Sequence, residues 1–230
     1  MKVLITGTNR GIGLQMVKSA VSKQWRVFAC CRNPHEAKKL SEVARMSGGL
    51  VSMHTLDIAD KAQIQALAYE LRTESIDILI NNAGVYGSMN NEFGDVDAED
   101  WLNTFRINTI APMQVAEAFV ENVARSEKKI IASVSSKMGS MEDNGSGGTY
   151  IYRSSKAALN AVMKSMSIDL KPRNIACVIL HPGWVKTDMG GPNAEITTRE
   201  SVKQMFHTLE NVRLEDGGNF YEIDGSIIPW

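Results

Sequence analysis

The sequence lacks the features that mark secreted and membrane-spanning proteins. It contains only three cysteines, Cys30, Cys31 and Cys177, and all three lie within apolar, strand-like runs. An odd number of thiols in such runs is typical of buried residues in a reducing compartment rather than of a disulfide framework. No apolar stretch approaches the roughly 20 residues that span a bilayer, and a predicted strand at residue 3 leaves no room for a signal peptide. We therefore expect a cytoplasmic protein with no membrane partner.

An excess of charge of either sign is also lacking. Lys and Arg total 25 and Asp and Glu total 26, which gives a formal net charge of -1, and no run of Lys or Arg exceeds two residues. Without a basic surplus, the protein is not expected to bind nucleic acid. His54, His181 and His207 show no metal-ligand spacing with acids or cysteines, so no metal site is predicted.

Short β-rich runs alternate along the chain with segments of helical periodicity, such as Ile64, Leu67 and Leu71. This alternation predicts an α/β, doubly wound fold of Rossmann type, with a seven-stranded, mostly parallel sheet and helices on both faces. The length suits one domain covering residues 1–230. The predicted strands are Val3–Thr6, Arg26–Cys31, Leu50–Leu56, Ile76–Ile80, Lys129–Ser135, Ile175–Leu180 and Asn219–Ile223.

A glycine-rich turn joins the first predicted strand to the first helix. It reads Thr6-Gly7-Thr8-Asn9-Arg10-Gly11-Ile12-Gly13. In such a turn Gly7 permits a tight bend, Gly11 allows the backbone to approach a ligand, and Gly13 allows the helix to pack on the strand. The helix N-terminus adds unpaired N–H donors that attract a pyrophosphate. The turn therefore indicates nucleotide binding, with a purely structural tight turn as the alternative.

Further motifs follow this turn in order. They are Asn81-Asn82-Ala83-Gly84 after the fourth strand, Asn108 in the next helix, Ser136 after the fifth strand, Tyr152 and Lys156 as Y-x-x-x-K, and Pro182-Gly183 with Thr187 after the sixth strand. Together with the T-G-x-x-x-G-x-G turn, this set resembles the short-chain dehydrogenase/reductase family over essentially the whole chain. Within that family, the segment His181–Gly191 and the terminal Asp224-Gly225 and Pro229-Trp230 are similar to the small carbonyl reductases of the sniffer and C-factor type.

The resemblance implies that the cofactor is NADP(H). NAD-binding proteins usually carry an acid at the end of the second strand, whereas this chain has Cys31 followed by Arg32. Arg32 and Arg10 suit a 2′-phosphate, but two solvated surface arginines would leave the preference open. Asp57 and Ile58 resemble the pair that brackets the adenine, although an Asp after a strand is also a common turn or cap residue. The implied cofactor contacts are Gly7, Asn9, Arg10, Gly11, Ile12, Gly13, Arg32, Asp57, Ile58, Asn82, Ala83, Gly84, Tyr152, Lys156, Pro182, Gly183, Val185 and Thr187.

Tyr152 and Lys156 lie four residues apart in a segment of helix formers, so both project from one helical face. A free phenol has a pKa of about 10, and a nearby ammonium and the positive charge of oxidised nicotinamide are each expected to lower that pKa. The resemblance implies that Tyr152 exchanges a proton with the substrate oxygen. It also implies that Lys156 tunes Tyr152 and binds the nicotinamide ribose.

Ser136 and Asn108 complete the implied catalytic set. Ser136 orients the substrate oxygen in this scheme, and we prefer it to Ser133 and Ser135 because the residues after it give the family's S-x-x-G pattern. Asn108 has two open interpretations. It bends its helix to support a water-mediated proton relay to Lys156, or it is a buried residue that caps a helix kink.

The resemblance implies an oxidoreductase that transfers hydride from NADPH to a small-molecule aldehyde, ketone or quinone, or oxidises the alcohol in reverse, with Tyr152 as general acid or base. A non-catalytic NADP(H)-binding sensor is the alternative, and an epimerase or dehydratase is disfavoured because the chain lacks a separate substrate domain. Residues 184–200 correspond to a substrate-covering loop. Family members assemble through helices near Ala98–Val123 and Tyr150–Leu170, so a homodimer or homotetramer is expected.

Overall fold

Within residues 1–88 and 92–230, the part of the chain that the computed structural model describes, seven strands and seven α-helices are present. The strands are β1 (Lys2–Thr6), β2 (Arg26–Cys31), β3 (Val51–Thr55), β4 (Ile78–Asn81), β5 (Ile130–Val134), β6 (Ala176–Leu180) and β7 (Phe220–Tyr221). The helices are α1 (Gly11–Ser22), α2 (Lys38–Met46), α3 (Lys61–Glu70), α4 (Ala98–Phe105), α5 (Ala111–Ala124), α6 (Tyr150–Asp169) and α7 (Thr198–Asn211).

The strands form one sheet in the order β3-β2-β1-β4-β5-β6-β7. Every neighbouring pair is parallel. Because β1 lies between β2 and β4, the direction of winding reverses between β1 and β4, and ligands bind at such a switch point in open parallel sheets. The predicted doubly wound, seven-stranded fold of Rossmann type is confirmed.

The last strand is shorter than the sequence predicts. The β-rich run covers Asn219–Ile223, but only Phe220 and Tyr221 pair with β6. The chain folds back immediately afterwards, since the Glu222 N–H donates to the Ser226 carbonyl at 2.8 Å. This reversal removes the rest of the run from the parallel ladder.

Successive residues of the central strands face opposite helical layers. Val3 and Ile5 pack in a core with residues of α1, α2 and α7, whereas Leu4 packs with residues of α3, α5 and α6. All three side chains are fully buried, which explains why β1 is a continuous apolar run. Burial of each contributes roughly 1.5–3 kcal/mol, so the two layers hold the strand ends and their loops in place.

The predicted helix over Ala98–Val123 is interrupted. A π-helical turn at Arg106–Ile110 separates α4 from α5, and Pro112 lies at the start of α5. Because proline has no N–H, the Asn108 carbonyl loses its α-helical donor. The widened turn therefore lies where the regular hydrogen-bond ladder cannot continue.

Helix α7 begins before the predicted covering loop ends. Thr197 caps the helix, since its hydroxyl accepts from the Glu200 N–H at 3.2 Å while the Glu200 carboxylate accepts from the Thr197 N–H at 2.8 Å. This capping box starts the helix at Thr198. Residues 198–200, the last three of the predicted 184–200 loop, therefore form the first turn of α7.

Cys30, Cys31 and Cys177 are buried and unpaired, as their apolar surroundings predicted. No helix of the described ranges is long and apolar enough to cross a bilayer. The same ranges contain no group of three or more His, Cys, Asp or Glu side chains able to hold a metal ion.

Candidate active site

The glycine turn after β1 has the backbone that its sequence predicted. Gly7 and Gly11 have φ of 71° and 55°, in the left-handed region that favours glycine. A Cβ on Gly7 would lie 2.9 Å from the Ala83 Cα, and one on Gly13 would overlap the Gly7 carbonyl oxygen. Arg10, the N-cap of α1, makes no side-chain capping bond. The first amides of the helix therefore remain available to an anion.

Two threonines that sequence reasoning missed fasten this turn. The Thr6 hydroxyl accepts from the main-chain N–H groups of Asn82 and Ala83, both at 3.0 Å. The Thr8 hydroxyl donates to the Cys30 carbonyl at 3.0 Å. The three bonds join the glycine turn to the loop after β4 and to β2. The signal available in the sequence was a pair of hydroxyl side chains flanking the first glycine.

The Asn82 side chain, predicted to contact the cofactor, is engaged with the protein. Its amide nitrogen donates to the carbonyls of Thr6 at 2.8 Å and Gly7 at 3.2 Å. The next residues of the motif, Ala83 and Gly84, pass along the site. A Cβ on Gly84 would lie 3.6 Å from the Lys156 ammonium nitrogen. Asn82 thus shapes the loop, and Gly84 keeps space open beside Lys156.

The two predicted phosphate-binding arginines have different surroundings. Arg10 is exposed and forms an ion pair with Asp188 of the segment after β6. Arg32 is exposed at the end of β2 and forms no ion pair with any residue of the ranges 1–88 and 92–230. Asn9 is also exposed beside Arg10. The guanidinium of Arg32 is thus directly available to a phosphate, whereas Arg10 must first break its ion pair with Asp188 to bind one.

Asp57 and Ile58 follow β3 as predicted. The Asp57 carboxylate accepts from the Ala59 N–H at 3.0 Å, and the Asp57 N–H donates to the Gln63 side chain at 2.8 Å. Ile58 is buried. Asp57 therefore is a turn residue in this structure, and contact of the pair with an adenine stays a prediction.

Tyr152 and Lys156 project from the same face of α6 into the site. Both are buried, with 8% and 5% of their surfaces exposed. The Lys156 ammonium donates to the Val134 carbonyl at 3.0 Å and lies 5.8 Å from the centroid of the Tyr152 ring. The predicted pair is therefore brought together at the end of β5.

The pKa values of the pair do not follow the sequence expectation. Burial raises the pKa of Tyr152 to about 12, and a hydrogen bond with Ser136 only partly offsets that rise. Burial lowers the pKa of Lys156 to about 8. The ammonium alone does not lower the phenol pKa below its ordinary value in this structure, because the cost of burying phenolate dominates. A lowering by the charge of oxidised nicotinamide stays a prediction. At neutral pH both groups hold their protons.

Among the three candidate serines, the structure places Ser136 at the tyrosine. Ser136 caps the short 3-10 turn Lys137–Gly139, its hydroxyl accepting from the Met138 N–H at 3.2 Å. By contrast, Ser133 contacts the Met163 sulfur and Ser135 donates to Asn160, so both lie within the packing of α6 on the sheet.

Tyr86 is a site residue that sequence reasoning missed. Its ring stacks on that of Tyr152, with centroids 4.7 Å apart. Tyr86 lies in the loop after β4, two residues beyond Gly84. No local pattern in the sequence indicates which way this loop turns, so only the fold reveals the contact.

Asn108 lies buried in the π-helical turn and fastens the loop that carries Tyr86. Its side-chain oxygen accepts from the Val85 N–H at 2.9 Å, and its amide nitrogen donates to the Val85 carbonyl at 2.8 Å and the Ser155 hydroxyl at 3.0 Å. Each of the two interpretations is partly met. The helix is distorted at Asn108, and the Asn108 side chain is hydrogen-bonded within the protein. A proton relay stays a prediction.

The segment after β6 covers the glycine turn. Pro182 and Gly183 follow β6, and Gly183 has a φ of 78°. Val185 forms a parallel bridge with Ile196, which closes the segment into a loop. Inside that loop, the Thr187 methyl carbon lies 3.5 Å from the position of a Cβ on Gly11. The predicted loop therefore contacts the predicted phosphate site.

A sequence model of the family described as short chain dehydrogenase matches residues 1–198. This chain belongs to the short-chain dehydrogenase family. The chain is 42% identical to C-signal of Myxococcus xanthus over 167 residues, which cover 73% of the chain and 100% of C-signal. The predicted family is confirmed, and the protein is an oxidoreductase.

Solved structures similar to this short-chain dehydrogenase include two carbonyl reductases. The carbonyl reductase Sniffer of D. melanogaster is 33% identical with a TM-score of 0.93, and the match covers 100% of this chain and 99% of that one. The NADPH-bound carbonyl reductase from chicken fatty liver is also 33% identical, with a TM-score of 0.90 and coverage of 100% and 98%.

Proposed function

We propose that the protein reduces the carbonyl group of a small aldehyde, ketone or quinone with NADPH, and that Tyr152 is the proton donor. The observation that carries this proposal is the buried pair of Tyr152 and Lys156 on one face of α6, with the Ser136 side chain near enough to the phenol to lower its pKa. The likeness to an NADPH-bound carbonyl reductase supports the choice of cofactor and reaction.

The residues at the sheet edge fit a dinucleotide. The glycine turn offers the uncapped N-terminus of α1 to a pyrophosphate, and Arg32 offers a free guanidinium to a 2′-phosphate. The space that Gly84 leaves beside Lys156 would hold the nicotinamide ribose against the ammonium. When bound there, NADPH supplies the hydride.

The protein supplies the proton and stabilises charge on the substrate oxygen. Ser136 donates a hydrogen bond to that oxygen and orients it toward Tyr152. The phenol of Tyr152, which holds its proton at neutral pH, gives that proton to the oxygen as negative charge develops. The Lys156 ammonium then stabilises the phenolate that remains. General acid catalysis of this kind contributes about 10²–10⁴-fold to a rate.

A second candidate function is NADP(H)-dependent sensing without turnover. The identity of 42% with C-signal favours it, whereas the assembled Tyr152, Lys156 and Ser136 favour catalysis. Both candidates require NADPH binding, so turnover distinguishes them.

The decisive experiment follows the loss of NADPH absorbance with a panel of aldehydes, ketones and quinones. Reduction of at least one compound is expected, and Tyr152→Phe should lower its turnover by about 10²–10⁴-fold with NADPH affinity unchanged. Tyr150→Phe is the matched control, because Tyr150 begins the same helix but is exposed. NADPH binding without turnover of any compound would favour the sensor, and near-normal turnover by Tyr152→Phe would reject the proton donor.

We also propose that the protein forms a homodimer or homotetramer through the faces of α4, α5 and α6. Leu102, Ile110 and Ile168 on these helices or the turn between them are 64%, 49% and 64% exposed. Burying such side chains against a second copy removes apolar surface from water. Light scattering should give a multiple of the chain mass, and a monomer at micromolar concentration would contradict this proposal.

A further inference from the structure

A cluster of charged and titratable side chains lies beside the active site, outside the residues that the proposed reaction uses. His181 follows β6 directly, Glu222 follows β7, and Lys137 follows Ser136 at the end of β5. The His181 N–H donates to the Tyr221 carbonyl at 2.8 Å, which fixes the backbone of the histidine between two strands. The ends of the neighbouring strands β5, β6 and β7 therefore lie together at the His181 imidazole.

The imidazole holds the turn that begins at Ser136. Two amides of this turn are bonded internally, since Met138 donates to the Ser136 hydroxyl at 3.2 Å and Gly139 donates to the Ser136 carbonyl at 2.8 Å. The third amide, that of Lys137, donates to Nδ1 of His181 at 3.1 Å. The bond that attaches the turn to the neighbouring strand end therefore depends on an unprotonated Nδ1.

The charged groups around the ring come from the segments that follow β5 and β7. Because Nδ1 accepts a hydrogen bond, the single proton of the neutral ring lies on Nε2, which is 3.7 Å from the Glu222 carboxylate. The Lys137 ammonium lies 3.5 Å from Glu222 and 3.6 Å from Asp143. Only 14% of the His181 side chain and 20% of the Glu222 side chain are exposed, so water screens the interaction of the ring with Glu222 only weakly. The side chains of Lys137 and Asp143 are more exposed, at 44% each.

We propose that His181 is a positioning residue for carbonyl reduction, whose neutral ring holds the Lys137 amide so that Ser136 is presented to Tyr152, and whose protonation releases that turn. The proposal rests on the function proposed above for Ser136 and Tyr152. Protonation at Nδ1 turns the acceptor into a donor, which then faces the Lys137 N–H. The hydrogen bond is lost, and two donors are left opposed.

The direction of the titration agrees with this role. Burial lowers the pKa of His181, with Glu222 and Asp143 raising it and Lys137 lowering it further. The ring is therefore neutral at pH 7 and becomes protonated only below the ordinary histidine pKa of about 6.5. Tyr152 and Lys156 hold their protons throughout that acid range. A decline of kcat for reduction on the acid side thus requires a group other than the catalytic pair.

Two variants separate the hydrogen bond from the titration. His181→Asn keeps an acceptor oxygen at the position of Nδ1 but does not titrate, whereas His181→Leu keeps the branched shape and loses the acceptor. At pH 7.5, kcat for NADPH-dependent reduction should fall by about tenfold in His181→Leu and stay within about threefold in His181→Asn. NADPH affinity and the thermal midpoint of His181→Asn should match the parent protein.

The pH profile of kcat gives the second readout. The parent protein and the control His207→Asn, whose histidine is exposed on α7, should lose kcat below pH 6.5, and His181→Asn should not. An acid decline that persists unchanged in His181→Asn, or full activity of His181→Leu, would overturn the proposal.

A measurement without turnover keeps this inference separate from the proposed function. In ¹⁵N-labelled protein, the Lys137 amide resonance should shift with the titration of His181 and should lose its titration in His181→Asn. A Lys137 amide that exchanges rapidly with solvent and ignores the histidine would refute the contact even if the enzyme reduces carbonyls. If the amide follows His181 while no carbonyl is reduced, the proposed function fails and the structural link remains.

Discussion

The ring of Tyr86 stacks on the ring of Tyr152 with an interplanar angle of 29°. This contact brings the loop after β4 onto the proposed proton donor. Stacked aromatic pairs contribute about 0.5–1.5 kcal/mol beyond the burial of their surfaces, enough to restrict the orientation of the phenol. The loop after β4 therefore holds the phenol in addition to bordering the cofactor site.

Removing the ring of Tyr86 should reduce catalysis without abolishing it. In Tyr86→Ala, the Tyr152 ring loses its stacking partner, and kcat should fall by about tenfold, as expected for a contact worth roughly 1.4 kcal/mol. Tyr86→Phe keeps the stack and should stay within about twofold. Steady-state kinetics with NADPH and the best substrate of the panel provide the measurement, and Tyr69→Ala on the exposed face of α3 is the control. Equal activity of the Ala and Phe variants would contradict a role for the stack.

The rate of reduction should decline on the alkaline side because of Lys156. Its pKa is lowered to about 8, so the ammonium loses its proton as pH rises through that value, and the phenolate left by Tyr152 loses its stabilising charge. The phenol itself, with a pKa of about 12, still holds its proton there. We expect kcat at saturating substrate to fall between pH 7 and pH 9. A profile that stays flat through pH 9 would show that the ammonium is not required.

Reversing the charge of Arg32 should weaken the preference for NADPH. The Arg32→Asp side chain repels a 2′-phosphate and accepts hydrogen bonds from the unphosphorylated ribose, so KM for NADPH should rise at least about tenfold with KM for NADH unchanged or lower. Arg72→Asp is the matched control, since Arg72 is exposed and stacks on Tyr69. Unchanged constants for both cofactors in Arg32→Asp would place the 2′-phosphate elsewhere.

A comparison of Asn108 with Asn122, another buried asparagine, separates a role in catalysis from a role in stability. Asn108→Ala leaves the N–H and carbonyl of Val85 without their side-chain partners, and Asn122→Ala removes one hydrogen bond from each of the carbonyls of Leu71 and Glu74. Each should lower the free energy of unfolding by roughly 1–3 kcal/mol, measured by urea denaturation. Only Asn108→Ala should also lower kcat, because Asn122 lies at the other end of α5. If the two variants lose activity equally, Asn108 acts through stability alone.

The fold was predictable because its determinants are local. A buried parallel strand such as β1 is a continuous apolar run, and the spacing of Tyr152 and Lys156 places both on one helical face whatever surrounds that helix. The contacts that tune the site are long-range. Tyr86 and Tyr152 are far apart in sequence, and Arg10 pairs with Asp188 across 178 residues, so no pattern around either member predicts the contact.

The sequence expectation for the Tyr152 pKa also failed because of long-range contacts. Charge proximity was inferred from the Y-x-x-x-K spacing, but the pKa depends on how deeply the phenol is buried and on where the Lys156 ammonium points. The ammonium is bonded to Val134 on the neighbouring strand. The extent of burial at an active site is decided by loops packing over it, which a helical repeat does not encode.

The strand order β3-β2-β1-β4-β5-β6-β7 has a consequence for how the sheet folds during synthesis of the chain. Each new strand joins the free edge of one that has already been synthesised, first outward on the side of β2 and β3, then outward from β1 through β4 to β7. No strand must be inserted between two earlier ones, so the sheet can grow on the ribosome in the order of translation. The edge of β1 that receives β4 stays uncovered while residues 7–77 emerge, which makes this interval the one most exposed to mispairing with other chains.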